Sequence, residues 1–197
     1  MDVARVLELL RASDALLDGH FELSSKKHSD KYFQCALVVQ DAARAEQLAR
    51  ALVEALPRAG VDPRAIDTVI GPALGAVVWA QEVGRALGRR AIFSERANGA
   101  MCLRRGFALA PTERVLVVED VLTTGGSARE VIELCRAADA RVVGVGSIVN
   151  RSGTNPFADL DLPLAALADV EAVAWEPGAC PLCASGGPAA VKPGSRA

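Results

Sequence analysis

The chain has 197 residues, 51% of them hydrophobic, a formal net charge of −2 and a pI near 5.8. That size and apolar content suit one well-buried domain with a smaller appendage, and argue against both disorder and two full domains. The weak negative balance offers no global attraction to nucleic acid or to an anionic membrane, so any anion must be bound locally.

Helical spacing over Val3 to Ala12 places Val3, Val6, Leu7, Leu9 and Leu10 between charged positions and predicts a short amphipathic helix. Asp2, Arg5 and Glu8 interrupt the apolar core that a signal peptide would need, and no apolar run approaches the roughly 20 residues that span a bilayer. A cytoplasmic protein with no membrane or nucleic-acid partner is expected. Five scattered cysteines, an odd number, fit reduced thiols better than a disulfide framework.

From Gly19 to Gln40 the aromatic and aliphatic residues Phe21, Leu23, Tyr32, Phe33 and Leu37-Val38-Val39 surround the polar stretch Ser24 to Lys31, which predicts two short strands around a basic loop. Asp41 is a helix N-cap candidate for Ala42 to Leu56, and Pro57 ends that helix or falls in its last turn. Strand and helix signals then alternate: Ile66 to Ile70, Gly75 to Leu87, Ala91 to Phe93, Val115 to Val118, Ser127 to Ala138, Val142 to Val149 and Val170 to Trp175. This βα progression predicts an α/β fold, a parallel twisted sheet flanked by helices. Ser94 to Thr112 breaks the rhythm, with a turn at Ala97-Asn98-Gly99 and arms at Met101 to Arg104 and Phe107 to Ala110. Beyond Glu176, frequent proline and glycine make regular structure improbable, so an irregular tail is expected over 176–197.

The most informative stretch is Val115 to Ser127. An apolar strand with no alternation suits a parallel strand covered on both faces, and Glu119 and Asp120 follow at its carboxyl end, where open α/β sheets bind ligands. Thr123, Thr124, Gly125, Gly126 and Ser127 then lead into a helix, so amides and hydroxyls converge on an anion. Val117 to Ser127 closely resembles the phosphoribosyl-pyrophosphate motif of type I phosphoribosyltransferases. The resemblance implies that Glu119 and Asp120 hold the ribose hydroxyls and stabilise an oxocarbenium-like state. It implies a binding segment of Glu119, Asp120, Val121, Leu122, Thr123, Thr124, Gly125, Gly126 and Ser127, whose turn cradles the 5′-phosphate, and it implies Mg²⁺ as cofactor.

Three further segments extend the resemblance to the orotate phosphoribosyltransferases, over nearly the whole chain. His20 to Gln34 looks like that family's small hood over the base, implying a hood at about 19–40, a core at about 41–175 and the tail beyond, all within one domain over 1–197. Ser24, Ser25, Lys26, Tyr32 and Phe33 would border the orotate pocket. Asn150-Arg151-Ser152-Gly153 follows a strand, and by resemblance Arg151 binds the orotate carboxylate together with Thr123. Gly71-Pro72-Ala73-Leu74-Gly75 stands where the family has its pyrophosphate loop, implying that Ala73, Leu74 and Gly75 touch pyrophosphate, although the lysine of better-known relatives is missing. The mobile catalytic loop also lacks lysine and histidine. Its cations are Arg96, Arg104 and Arg105, and Arg96 is the favoured catalytic one because it precedes the Asn98-Gly99 turn. The family's shared sites imply a homodimer.

Cys180-Pro181-Leu182-Cys183 reads as half of a zinc site or as a dithiol. Two ligands do not complete a structural zinc site, so a turn with free thiols and no protein-held metal is expected. Two other readings stay open: a phosphoribosyltransferase for another base, and a regulator that senses the sugar phosphate.

Overall fold

A computed structural model describes residues 1–23 and 25–193. Helix α1 (Val3–Arg11) begins at Asp2, whose carboxylate accepts from the Arg5 N–H at 2.8 Å, and it buries Val6, Leu9 and Leu10. Strands β1 (Leu16–Glu22) and β2 (His28–Phe33) follow as an antiparallel hairpin. The run Leu37-Val38-Val39 does not continue as strand. It lies in α2 (Ala36–Val39), a single turn that buries Val38 and Val39 together. Helix α3 (Ala42–Ala55) starts at Asp41, whose Oδ1 accepts from the N–H groups of Ala43 and Arg44 at 3.0 and 3.1 Å. Pro57 sits in the 3₁₀ turn Leu56–Ala59 that closes it.

The remaining elements are β3 (Thr68–Pro72), α4 (Gly75–Leu87), β4 (Arg90–Ala97), β5 (Ala100–Cys102), β6 (Arg114–Leu122), α5 (Gly126–Ala137), β7 (Arg141–Asn150), β8 (Leu164–Asp169), β9 (Ala174–Trp175) and α6 (Pro181–Ala184). The large sheet has six strands in the order β5-β4-β3-β6-β7-β8, parallel except for β5, which pairs antiparallel with β4. A second sheet of three strands, β1-β2-β9, forms the hood. Among the described residues, no helix is long and apolar enough to cross a membrane.

Each face of the large sheet carries its own apolar core, as the pleat requires. Along β6, Leu116 and Val118 join the layer containing α3 and α4, with Leu48, Leu52 and Trp79, while Val115 and Val117 join Ile132 and Val131 of α5. Side chains 115 to 118 are therefore all inaccessible to water, and burial on both faces is why the sequence shows no alternation there.

Three expectations need correction. The interrupted segment forms a hairpin whose arms are Glu95–Ala97 and Ala100–Cys102, not the later pairs, because Asn98 and Gly99 both take positive φ (52° and 82°), the geometry of a two-residue turn between adjacent strands. The strand expected over Val170 to Trp175 is only Ala174–Trp175, and it leaves the large sheet for the hood. The sixth strand of the large sheet is Leu164–Asp169, an alanine-rich segment whose strand state is imposed by pairing with β7. The tail is also more ordered than its proline and glycine content suggests: α6 forms, and the Glu22 N–H donates to the Val191 carbonyl at 2.8 Å. Residues 194–197 of that expected tail lie outside the described residues.

Asp41 supplies the only side-chain cap of α3 and stands at the seam between hood and core. Asp41→Ala should lower stability by about 1 kcal/mol, which for a domain of this size is a fall in Tm of roughly 2–4 °C in a thermal melt, with activity at room temperature unchanged.

Candidate active site

Strand β6 extends further than the sequence suggests, through Leu122, so Glu119 and Asp120 lie within its last turn of pleat rather than beyond it. Both are partly buried. Burial pushes the Glu119 carboxyl up to about 8, with the neighbouring Asp120 charge adding to the rise, against a smaller downward pull from the Ala128 N–H and the Ser127 hydroxyl. Burial raises Asp120 as well, opposed by its own and the Val121 backbone N–H. Two acidic groups held side by side out of water resist ionising together, and a cation or hydroxyl donor facing them relieves that cost.

Gly75, the first residue of α4, closes this site from the β3 side. A Cβ there would lie 3.0 and 3.1 Å from the two Asp120 carboxylate oxygens, so any larger residue would push the carboxylate aside, and glycine lets the turn after β3 approach it this closely. Of the three residues expected to touch pyrophosphate, Ala73 already donates its N–H to the Ser94 carbonyl at 2.7 Å, and Leu74 is 88% exposed. The amides available for phosphate in this turn are thus fewer than the motif suggested.

On the other side, the strand-to-helix turn is built for an anion. Thr123 and Thr124 are exposed, and Gly125 adopts φ 74° at the N-cap of α5 with no side-chain cap. A Cβ on Gly125 would meet the Phe157 ring at 3.0 Å, so glycine is required by both conformation and packing. In the first turn of α5 the Ala128 N–H donates to the Glu119 carboxyl, which ties the turn to the strand end, while Gly125 offers no side chain to cap the other N–H groups there.

The third wall comes from β7 and the hood. The Arg151 N–H donates to the Leu122 carbonyl at 2.7 Å, which sets Arg151 directly beside Thr123. Asn150 braces the loop behind it, donating to the Asp169 carboxylate at 2.8 Å and to the Thr154 carbonyl at 2.9 Å. The guanidinium lies over the Phe33 ring at 5.2 Å, with one terminal nitrogen 3.4 Å from Ser29 Oγ. Its Nε is buried and, among the described residues, finds no hydrogen-bond partner, and desolvation lowers its pKa. A half-buried guanidinium with an unpartnered Nε suits a planar anion.

The sequence-derived base contacts do not all converge. Phe33 reaches Arg151, whereas Tyr32, the next residue of β2, alternates to the opposite face, where its ring packs 5.8 Å from Phe21 and its hydroxyl donates to Gln34 Oε1 at 3.1 Å. Lys26 is exposed and pairs with Glu22 at 3.0 Å. Ser24 lies outside the described residues. Ser29, not singled out by the sequence, is fully buried at the Arg151 side of the hood. Its only signal was proximity to the aromatic pair. Arg96 donates to the Gly99 carbonyl and to Glu130 Oε1 of α5, both at 2.6 Å, so in this arrangement its charge is held on the hairpin and not beside Glu119 and Asp120.

Comparison with known proteins places this geometry. Residues 38–159 match the phosphoribosyl transferase domain. The chain belongs to the phosphoribosyl transferase family. Among curated relatives, a protein from Heliobacterium modesticaldum named orotate phosphoribosyltransferase is 51% identical over 196 residues, covering all of both chains. One of the same name from Pelotomaculum thermopropionicum is 49% identical over 97% of this chain and 96% of its own. Among solved structures, orotate phosphoribosyltransferase from Aeropyrum pernix superposes with a TM-score of 0.68 at 26% identity, covering 84% of this chain and 94% of that one. The Mycobacterium tuberculosis orotate phosphoribosyltransferase with inorganic phosphate gives 0.66 at 26% identity, covering 85% and 95%.

The raised Glu119 carboxyl has a consequence for stability. Its folded value near 8 exceeds the ordinary 4.5, so folding takes up a proton between these values, and stability falls as pH rises from about 4.5 to about 8. Glu119→Gln should therefore raise the Tm of the ligand-free protein at pH 8 and leave it near wild type at pH 5. A thermal-melt difference that does not change with pH would refute the assignment.

Proposed function

We propose that this chain is an orotate phosphoribosyltransferase. It transfers the phosphoribosyl group of 5-phosphoribosyl 1-pyrophosphate to orotate, giving orotidine 5′-monophosphate and pyrophosphate in de novo UMP biosynthesis. The observation that carries the choice of base is Arg151, a half-buried guanidinium over the Phe33 ring whose Nε finds no partner among the described residues, beside the strand-end turn where the sugar phosphate would lie. Orotate is a planar ring bearing a carboxylate, which a guanidinium accepts bidentately, while Phe33 and Ser29 line the same side. Full-length identity to relatives of that name supports the reading.

In this reading the turn from Thr123 to Ser127 binds the 5′-phosphate through its own backbone amides and hydroxyls at the start of α5. Glu119 and Asp120 hold the ribose hydroxyls, and as C1 loses pyrophosphate the developing positive charge favours their ionised forms, which stabilise the oxocarbenium-like state. Ring N1 of orotate, held by Arg151 and Thr123, attacks the opposite face of C1. The paired, desolvated carboxylates are hard oxygen donors of the kind that suit Mg²⁺ together with phosphate oxygens and water. Bound Mg²⁺ supplies neutralisation of the pyrophosphate charge. Gly75 keeps the turn after β3 close enough to Asp120 to enclose that end of the site.

Arg96 is assigned the pyrophosphate-neutralising role across a homodimer, reaching the site of a second copy once the hairpin releases Glu130. The enzyme is assigned to the cytoplasm, with no nucleic-acid or membrane partner.

Incubation with Mg²⁺ and 5-phosphoribosyl 1-pyrophosphate should consume orotate and leave uracil, adenine and hypoxanthine unchanged. Arg151→Ala should raise the KM for orotate at least about tenfold with little change for the sugar phosphate, since a charge-assisted bidentate contact is worth more than about 1.4 kcal/mol. Equal losses for both substrates, or turnover of a purine, would overturn the assignment. Asp120→Asn should lower kcat by about 10²-fold or more with the melting profile preserved, the scale expected for removing one transition-state electrostatic contact.

A further inference from the structure

The hood has two sides. Ser29 and Phe33 face Arg151, while His28, adjacent to Ser29, faces away from it toward His20 of β1. The C-terminal segment brings Cys180 and Cys183 to the same outer place, from residues 160 positions later in the chain than His20. The two cysteines were legible as half a metal site. The fold supplies the other half.

The geometry is that of a closed four-ligand site. His20 Nε2 lies 3.0 Å from His28 Nδ1, 3.5 Å from Cys180 Sγ and 3.7 Å from Cys183 Sγ, and Cys183 Sγ lies 3.3 Å from His28 Nδ1. All four ligand atoms fall within 4.8 Å of one another. Tetrahedral zinc, with bonds of about 2.0–2.1 Å to nitrogen and about 2.3 Å to sulfur, separates its ligands by about 3.3 Å for two nitrogens and about 3.5 Å for nitrogen and sulfur. The three nitrogen–sulfur spacings bracket their value, and the nitrogen–nitrogen spacing of 3.0 Å lies slightly inside its own.

Two more features point the same way. The other ring nitrogen of His20, Nδ1, donates to the Pro188 carbonyl at 2.8 Å. That bond places the proton on Nδ1 and turns the Nε2 lone pair into the cluster, the arrangement that orients a metal-ligating histidine. Both thiols are unbridged, and His20 and Cys180 are buried, so the donors are not merely dispersed surface groups. Two sulfurs and two imidazole nitrogens in a tetrahedron select zinc over a hard cation such as Mg²⁺.

We propose that His20, His28, Cys180 and Cys183 form a structural zinc site that fastens the C-terminal segment to the outer face of the hood. Zinc binds the two thiolates and two neutral imidazoles and releases the two thiol protons to solvent, with no redox change. All four positions are filled by protein, leaving none for substrate, so the site shapes the hood and takes no part in the chemistry. His28 and Ser29 are consecutive, which makes the metal a brace for the strand that meets Arg151.

The test uses the full chain, purified with a thiol reductant and without chelator. Metal analysis should find about one zinc per chain. After the zinc is stripped, Co²⁺ alone should give the intense visible bands of a tetrahedral site and near-ultraviolet thiolate-to-cobalt absorption. Cys183→Ser, at the exposed rim, should cut that thiolate absorption by about half and weaken zinc retention at least about tenfold, while Cys102→Ser should change neither. Weak octahedral cobalt bands in the wild-type protein would overturn the proposal. So would a Cys180–Cys183 disulfide that persists under reductant, or a Cys183→Ser spectrum identical to that of the wild type. The wild-type spectrum decides the matter even if the variant does not fold.

Discussion

Everything at the active edge depends on the burial of β6 from both sides. Its residues 115 to 118 alternate between two apolar layers and leave no place for a polar side chain. Polarity can begin only where the covering helices end, and there the strand presents Glu119 and Asp120 side by side. The same geometry that confines these acids to the carboxyl end of the strand also keeps them partly dehydrated, which is why burial leads the causes raising both carboxyls. The remaining walls are arranged around that pair: Gly75 from β3, the Gly125 turn opening α5, and Arg151 tied by its backbone to Leu122.

The parts of the site that one strand and its turn determine were legible in the sequence. An unbroken aliphatic run, two acids and a small-residue turn can hardly be satisfied by another local structure, and α4, α5 and the Asp41 cap likewise follow from local chemistry. What local chemistry could not disclose was any feature set by a distant partner. Leu164–Asp169 is strand only because β7 offers an open edge. Tyr32 and Phe33 look equivalent as an aromatic pair, yet the pleat sends them to opposite sides of β2, and only Phe33 reaches the guanidinium. Arg96 looks like an available cation until α5 brings Glu130 beside it.

The hood shows the same limit in its strongest form. Its inner side meets Arg151 through Ser29 and Phe33, and its outer side gathers two histidines and two cysteines from opposite ends of the chain. A single hairpin therefore carries two chemistries back to back, one residue apart. The inner side answers to the Arg151 guanidinium, and the outer side to the geometry of the C-terminal segment.

Strand β9 gives this arrangement a temporal order. The large sheet is complete once Asp169 has been made, but the third strand of the hood is Ala174–Trp175, pairing back to His28 and Ser29 across nearly the whole chain. Closing so long a loop is entropically slow, and a chain emerging from its N-terminus can form the hairpin early yet cannot finish the small sheet until its last segment arrives. The small sheet is thus the last part of the enzyme to mature. A nascent or truncated chain would hold a finished core with an unfinished mouth.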